Sequence, residues 1–315
     1  MTRLGRQAGA AAMPRRPRKR IPTAFGQAGS AAPRRFRATS GPASRLIAVA
    51  GVLTVALLGV AAVPAGAATS SPPQRLPGNA DSFERTFQPA YDYDSDGCYP
   101  TPAIGPTGVL NSGLKPTGSL GGSCHDRSDL DNTNGYSRHY CSNGWCAILY
   151  GLYFEKDQFT FAGGGHWHDW EHVVVWVQNN QAKYVATSAH GEFDTYPASA
   201  IRWTGTHPKI VYHKDGASTH SFRPARSGDE PPENAYHTWR FPDLVGWNGY
   251  PAGLRERLSA ADWGKATFGL KNGEFLKNLL TAKPKAVTFN PFSSCSIYQN
   301  FATILKCLAA TETRS

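Results

Sequence analysis

The densest chemistry in the sequence lies in Gly165-His166-Trp167-His168-Asp169-Trp170-Glu171, where two imidazoles and two carboxylates fall within six residues. The run from Glu171 to Val177 reads as a buried strand, because β-branched and aromatic residues dominate it and no breaker interrupts it. The motif is therefore expected where a loop enters a strand. Alternation sets Asp169 and Glu171 on one face with Cβ atoms roughly 6–7 Å apart, and His166 arrives from the preceding loop. Two carboxylates held that close repel unless something positive lies between them. An oxygen-rich set with one imidazole suits a hard divalent cation, Mg²⁺ first, with Ca²⁺ or Mn²⁺ as relatives, better than structural zinc. The competing account is a satisfied hydrogen-bond network of acids and histidine, since short motifs recur by chance.

The surrounding elements supply the remaining donors. Cys146 to Phe154 reads as an apolar strand closing at Glu155-Lys156-Asp157. A hairpin back to His166 would bring in Asp157 as a fourth ligand. Lys183–Ser188 is a further strand that ends at His190, and Lys209–His213 with Ser218–Phe222 forms a hairpin. Strands at such short spacing predict a mainly β fold with a β-sandwich core, and the tail adds helical spacing at Leu254–Leu258 and Asn272–Leu280. Residues 99–124 read as loop and 125–146 as polar and irregular. His190 could line the mouth of the motif, and Trp167 and His168 are the other candidate ligand-binding residues. Strict alternation ranks His168 and His172 below His166 as ligands.

The formal charge of +10 does not indicate a nucleic-acid partner. Residues 1–68 hold eleven of the 33 basic side chains and no acidic one, leaving 22 against 23 acidic and a net of −1 for the rest. The excess belongs to a leader. Leu46 to Val63 is an apolar run followed by Pro64-Ala65-Gly66-Ala67-Ala68, the pattern of a secretory signal peptide. Residues 1–68 are thus read as a basic extension plus signal peptide, 69–82 as a linker, and 83–315 as one domain. All six cysteines lie after the leader. Their even number in an exported chain predicts disulfides, and sequence proximity suggests Cys98 with Cys124, Cys141 with Cys146 and Cys295 with Cys307, other connectivities staying open. Asp92-Tyr93-Asp94-Ser95-Asp96-Gly97 has the spacing of half a calcium loop without the closing glutamate, so a reduced Ca²⁺ site competes with a solvated acidic turn.

Several motifs together resemble the necrosis- and ethylene-inducing-peptide-like family of secreted toxins from plant-associated microbes. The family heptapeptide GHRHDWE stands here as GHWHDWE at 165–171, and its AIMYSWYFPKD segment as AILYGLYFEKD at 147–157. The Gln88-Pro89-Ala90 run into the acidic stretch, Lys115-Pro116-Thr117-Gly118 and Ser188-Ala189-His190-Gly191 also look like family positions. The resemblance implies a β-sandwich flanked by helices, akin in shape to lectin-like cytolysins. It implies a divalent cation, usually Mg²⁺, held by Asp157, His166, Asp169 and Glu171 at the bottom of a cavity. It also implies a Cys98–Cys124 disulfide and, from one subgroup, a calcium site.

From this resemblance the chain is expected to be a secreted, monomeric cytolysin. Its expected partners are glycosylated sphingolipid headgroups of the host plasma membrane, and no covalent chemistry is required. Trp167 replaces the family arginine and Glu155 the family proline, which leaves the ligands untouched but alters the cavity wall. Two other readings stand beside it: a noncytolytic glycan-binding module, and a metal-assisted hydrolase with His168 or His190 as general base.

Overall fold

The computed structural model describes residues 71–292. The residues read as leader and signal peptide, and the Cys295 and Cys307 expected to pair, lie outside the described residues. Among these, no helix is long and apolar enough to cross a membrane.

The architecture is mostly β with a few helices, two sheets packed face to face. The six-stranded sheet contains β2 (Asn134–Ser142), β3 (Trp145–Gln158), β4 (Gly165–Gln178), β5 (Gln181–Ala189), β6 (Glu192–Pro197) and β10 (Asp243–Gly246), in the order β10-β2-β3-β4-β5-β6. The second sheet holds β1 (Ala90–Tyr93), β8 (His207–Lys214) and β7 (Trp203–Thr204), with β9 (His220–Pro224) also paired to β8. β10 runs parallel to β2 and β1 parallel to β8; every other pairing is antiparallel.

The middle stretches of β3 and β4 are apolar because both of their faces are covered. On β4, Val173, Val175 and Val177 join Phe154, Ile210, Tyr212 and Phe222 in the core between the sheets. Val174 and Trp176 turn the other way, toward Leu258, Phe268, Phe275 and Leu279. That outer layer is built from α3 (Leu254–Ala260), α4 (Glu274–Thr281) and the segments beside them. In α4 the buried Phe275, Leu276 and Leu279 recur at helical spacing, the amphipathic stripe that the sequence shows. Phe154 stacks on Tyr212 at 3.8 Å across the sheets, directly above the region where the motif lies.

Several elements depart from the sequence expectation. The motif is not a loop entering a strand: it lies inside β4, because β3 continues past its apolar run and pairs through Asp157↔His166 and Gln158↔Gly165. The apolar pattern marks only part of the ribbon, because Glu155, Lys156, Asp157 and Gln158 at the end of β3 are buried as polar groups. Residues 125–146 are not irregular but hold α2 (Arg127–Asp131) and β2. β2 escapes pattern reading because it buries polar groups with partners: Arg138 donates to the Leu270 carbonyl at 2.8 Å and Asn272 at 2.9 Å, between the rings of Trp247 and Phe275. Within the segment read as a linker, Leu76 is buried and its N–H donates to Asn134, so that stretch is docked on the folded body before α1 (Ser82–Thr86) begins. Cys98–Cys124 and Cys141–Cys146 are both bonded, the second across the β2–β3 hairpin.

The β3–β4 connection depends on glycine. Gly165 has φ of 126°, and a Cβ there would collide with the Asp157 carbonyl oxygen. Gly163 shares the left-handed conformation at 106°, but a Cβ there would meet nothing nearer than 3.5 Å. Gly163→Ala should therefore cost about 1–3 kcal/mol from backbone strain alone. Gly165→Ala should cost distinctly more, since the Asp157 backbone must also move. Denaturant melts of the two variants check this; equal losses would contradict it.

Candidate metal centre

The hairpin β3–β4 delivers Asp157 and His166 opposite each other, and Asp169 follows three residues later. Strict alternation would send His166 and Asp169 to opposite faces. His168 between them has φ of 58°, a left-handed kink that breaks the alternation. As a result one ligand atom from each of Asp157, His166 and Asp169 lies within 4.8 Å of the others. The same kink turns the His168 carbonyl back to accept from His166 Nδ1 at 2.7 Å. With its proton on Nδ1, His166 presents a bare Nε2 toward Asp157 Oδ2 at 3.7 Å. A backbone carbonyl fixing the tautomer in this way is the usual support of a metal-ligating histidine.

The electrostatics ask for a cation. Asp157, Asp169 and Glu171 are all nearly buried, at 2%, 4% and 6% exposure. Burial first, and then the charges of their neighbours, push the carboxyls of Asp169 and Glu171 well above the ordinary carboxylate range. Tyr212 donates to Asp169 at 3.0 Å and Ser188 donates to Glu171, but neither contributes positive charge. The donor set of two carboxylates and one imidazole, with His166 Nε2 3.7 Å from Asp157, beyond hydrogen-bond reach, fits a divalent ion. Glu171 lines the same cavity, although it stands outside the tight group of three.

The cavity has a volume of about 310 Å³. Ser188 and His190 close one side, Thr219 and His220 another, and Lys265, Lys277 and Asn278 form a wall contributed by the helical layer. His190 also has a left-handed backbone and is oriented by Asp215 at 3.1 Å and Thr219 at 3.2 Å. It stands where the sequence reading put it, at the mouth. Trp167 and His168 do not. Trp167 is 48% exposed and outside the cavity wall, and His168 points away, bonded to the Tyr153 hydroxyl at 2.6 Å with its ring edge-on to Trp263. His172 is also neutral, held down to about 3 by burial, and accepts from the Gly269 N–H.

His220, on β9 of the opposite sheet, is the member that motif reading missed. Its Nδ1 donates to Asp157 Oδ1 at 2.7 Å, and its backbone N–H reaches both Asp157 oxygens at 3.0 and 3.1 Å. Its Nε2 donates to the Asp96 carbonyl at 3.1 Å. Burial opposes a charge on this ring, but the bonds to Asp157 and Asp96 outweigh it and raise the pKa to about 9. An imidazolium donating from both nitrogens neutralises one of the three buried carboxylates. Nothing in the local sequence signals this, because the partners are 63 residues apart.

The acidic stretch expected to hold calcium has a different role. Asp92 lies in β1 and accepts from the Glu233 and Asn234 backbone at 3.0 and 3.2 Å, anchoring that turn. Asp94 faces Arg223 at 3.6 Å, and Asp96 faces His220 at 3.5 Å. Asp92 is taken up by the 233–234 turn, Arg223 beside Asp94 is bonded through both nitrogens to Asp229, and among the described residues the three carboxylates are not grouped within ligand distance of one another. Gly97 has no side chain because a Cβ there would come within 2.8 Å of His220 Nε2. The turn thus supports the outer side of His220.

The His220–Asp157 pair makes a signed prediction. A histidine raised from 6.5 to about 9 stabilises the fold fully below pH 6.5, and this is lost as pH rises through 9. In metal-stripped protein, His220→Gln should therefore be less stable than wild type by about 3 kcal/mol at pH 6. The gap should close by pH 10. Paired denaturant melts across this range check it, and a gap independent of pH would contradict it.

Comparison with known proteins places this geometry. Residues 81–282 match the family model described as necrosis inducing protein. The chain is 33% identical over 196 residues to NLP effector protein 3 of Plasmopara viticola, covering 60% of this chain and 82% of that protein. It is 33% identical over 189 residues to the necrosis-inducing protein NPP1 of Phytophthora nicotianae, covering 58% and 74%. Among solved structures, NLPPya in complex with mannosamine is similar with a TM-score of 0.57 and 30% identity, over 68% of this chain and 95% of that one. Necrosis and ethylene inducing protein 2 from the agent of cocoa's witches broom disease gives 0.58 and 29%, over 67% and 95%. With motif, two-sheet fold and coverage in agreement, this chain belongs to the necrosis-inducing protein family.

Proposed function

We propose that the protein is a secreted, metal-dependent cytolysin that binds the sugar headgroup of plant plasma-membrane sphingolipids and permeabilises the bilayer. The observation that carries this reading is the convergence of Asp157, His166 and Asp169 at the floor of an open cavity. Asp157, His166 and Asp169 would hold the ion, with Glu171 beside them, and Mg²⁺ matches the donor set. A bound divalent cation supplies coordination and polarisation for sugar hydroxyls. His190, fixed by Asp215 and Thr219, offers hydrogen bonds at the rim, while Lys265 and Lys277 present positive charge suited to a headgroup phosphate. His220 holds Asp157 in place through its ring and backbone N–H groups. The related structures solved in complex with mannosamine and with glucosamine support a glycan as the ligand. The reading is one of binding, and it requires no turnover.

The test is dye leakage from vesicles containing glycosyl inositol phosphorylceramide. Wild type with Mg²⁺ should release dye, and chelation or Asp169→Ala should reduce release at least tenfold. Equal leakage from both proteins, or none from either, would sink the cytolysin reading; glycan binding without leakage would select a noncytolytic module. Because Trp167 stands outside the cavity wall, Trp167→Arg should change the affinity for glucosamine by no more than about twofold. A larger change by calorimetry would place that residue back in the pocket.

A further inference from the structure

A second cavity, of about 300 Å³, lies where the end of β1 meets the α2–β2 connection and the start of β10. It shares no lining residue with the cation cavity, and its volume is at the lower end of the range that holds small molecules. Tyr93 of β1 lines it. The Tyr93 ring packs among Tyr91, Tyr99 and Phe154 in the core between the sheets. Its hydroxyl is completely buried and has no hydrogen-bond partner among the described residues. With the flanks of the ring held by core aromatics, the hydroxyl is the end that reaches the cavity. An unpaired hydroxyl at that depth is destabilising, and it calls for a partner from outside the protein.

The rest of the wall offers both fixed acceptors and an unused donor. Asp243 accepts from Arg75 Nε at 3.0 Å, and Asp131 accepts from the Tyr236 hydroxyl at 2.6 Å, so both carboxylates are oriented. Arg240 is not bonded in the same way. Its guanidinium stands 3.9 Å from Asp131 Oδ1, beyond hydrogen-bond reach, and lies over the Tyr236 ring at 4.4 Å. Two guanidiniums face two carboxylates, and this balance disfavours a simple anion or cation. Phe241 lines the same cavity and is 46% exposed, with His207 edge-on to it at 4.9 Å. A pyranose matches this wall, because its hydroxyls both donate and accept and its C–H face packs on an aromatic ring.

We propose that this cavity is a second, metal-independent binding site for a neutral pyranose. Tyr93 and Arg240 donate to its hydroxyls, and Phe241 carries its apolar face. The site stands on its own residues and does not rest on the cation cavity or on the cytolysin reading. Two separate sugar sites on one chain would add avidity for a surface that displays many glycans.

The experiment uses the mature protein carrying Asp169→Asn, with chelator present, so that the cation cavity is silent. It is titrated with methyl glucoside, methyl galactoside and methyl mannoside by heteronuclear NMR, with inorganic phosphate as the anionic control. At least one glycoside should bind saturably and shift the resonances of Arg240 and Phe241 but not those of Ser188 and His190. Tyr93→Phe removes only an unpaired hydroxyl, so the melting temperature should be kept or raised while affinity falls about three- to tenfold. Phe241→Ala, at an exposed ring, should weaken binding in the same direction. No saturable binding of any glycoside, tighter binding of phosphate than of every glycoside, or an affinity unchanged by Tyr93→Phe would overturn the proposal.

Discussion

Three carboxylates share the floor of one cavity, and their mutual repulsion is the constraint on which the rest of this structure depends. Two unit charges about 5 Å apart interact by roughly 3–4 kcal/mol at an effective dielectric of about 20. Asp157, Asp169 and Glu171 are buried together, so each must be protonated, paired or bound to a cation. The protein pairs only one. His220 crosses from the second sheet to bond Asp157, and the turn at Asp96 and Gly97 closes behind it. Asp169 and Glu171 receive only hydroxyl donors, from Tyr212 and Ser188. Leaving two acids without a positive partner beside a correctly oriented histidine is poor design for stability alone. It is a coherent arrangement for a site that a divalent ion completes.

The fold provides this at the end of two long, buried strands. β3 and β4 are the longest strands, apolar on both faces where they cross the middle of the molecule. Toward that end both turn polar, and Asp157, Asp169 and Glu171 face the cavity. The core between the sheets ends at Phe154 and Tyr212, whose stacked rings hold the Tyr212 hydroxyl against Asp169. The helical layer contributes the cationic wall through Lys265 and Lys277. One strand pair thus joins the two halves of the core and carries the ligands between them.

Much of this was legible in the residues. The valine run of β4, the hairpin bringing Asp157 to His166, and the position of His190 all follow from period and turn signals that act locally. The two described disulfides join the cysteines that are near in sequence. What could not be read depends on distant partners or on single backbone angles. His220 meets Asp157 only because the sheets pack, and β2 buries Arg138 only because Trp247 and Phe275 enclose it. The left-handed turn at His168 has no signature in residue type, yet it decides that His166 rather than His168 enters the site. The spacing of Asp92, Asp94 and Asp96 suggested convergence, but Asp92 lies in a strand and turns to the 233–234 backbone, and the three acids are not grouped within ligand distance.

The account turns on whether a cation occupies the point shared by Asp157, His166 and Asp169. The most direct measurement is an anomalous difference map from crystals grown with Mn²⁺ in place of Mg²⁺. The account predicts a single strong peak in the cavity within coordination distance of His166 Nε2 and a carboxylate oxygen of both Asp157 and Asp169. A cavity without a peak at saturating Mn²⁺, with Asp169 hydrogen-bonded as a neutral acid, would contradict it.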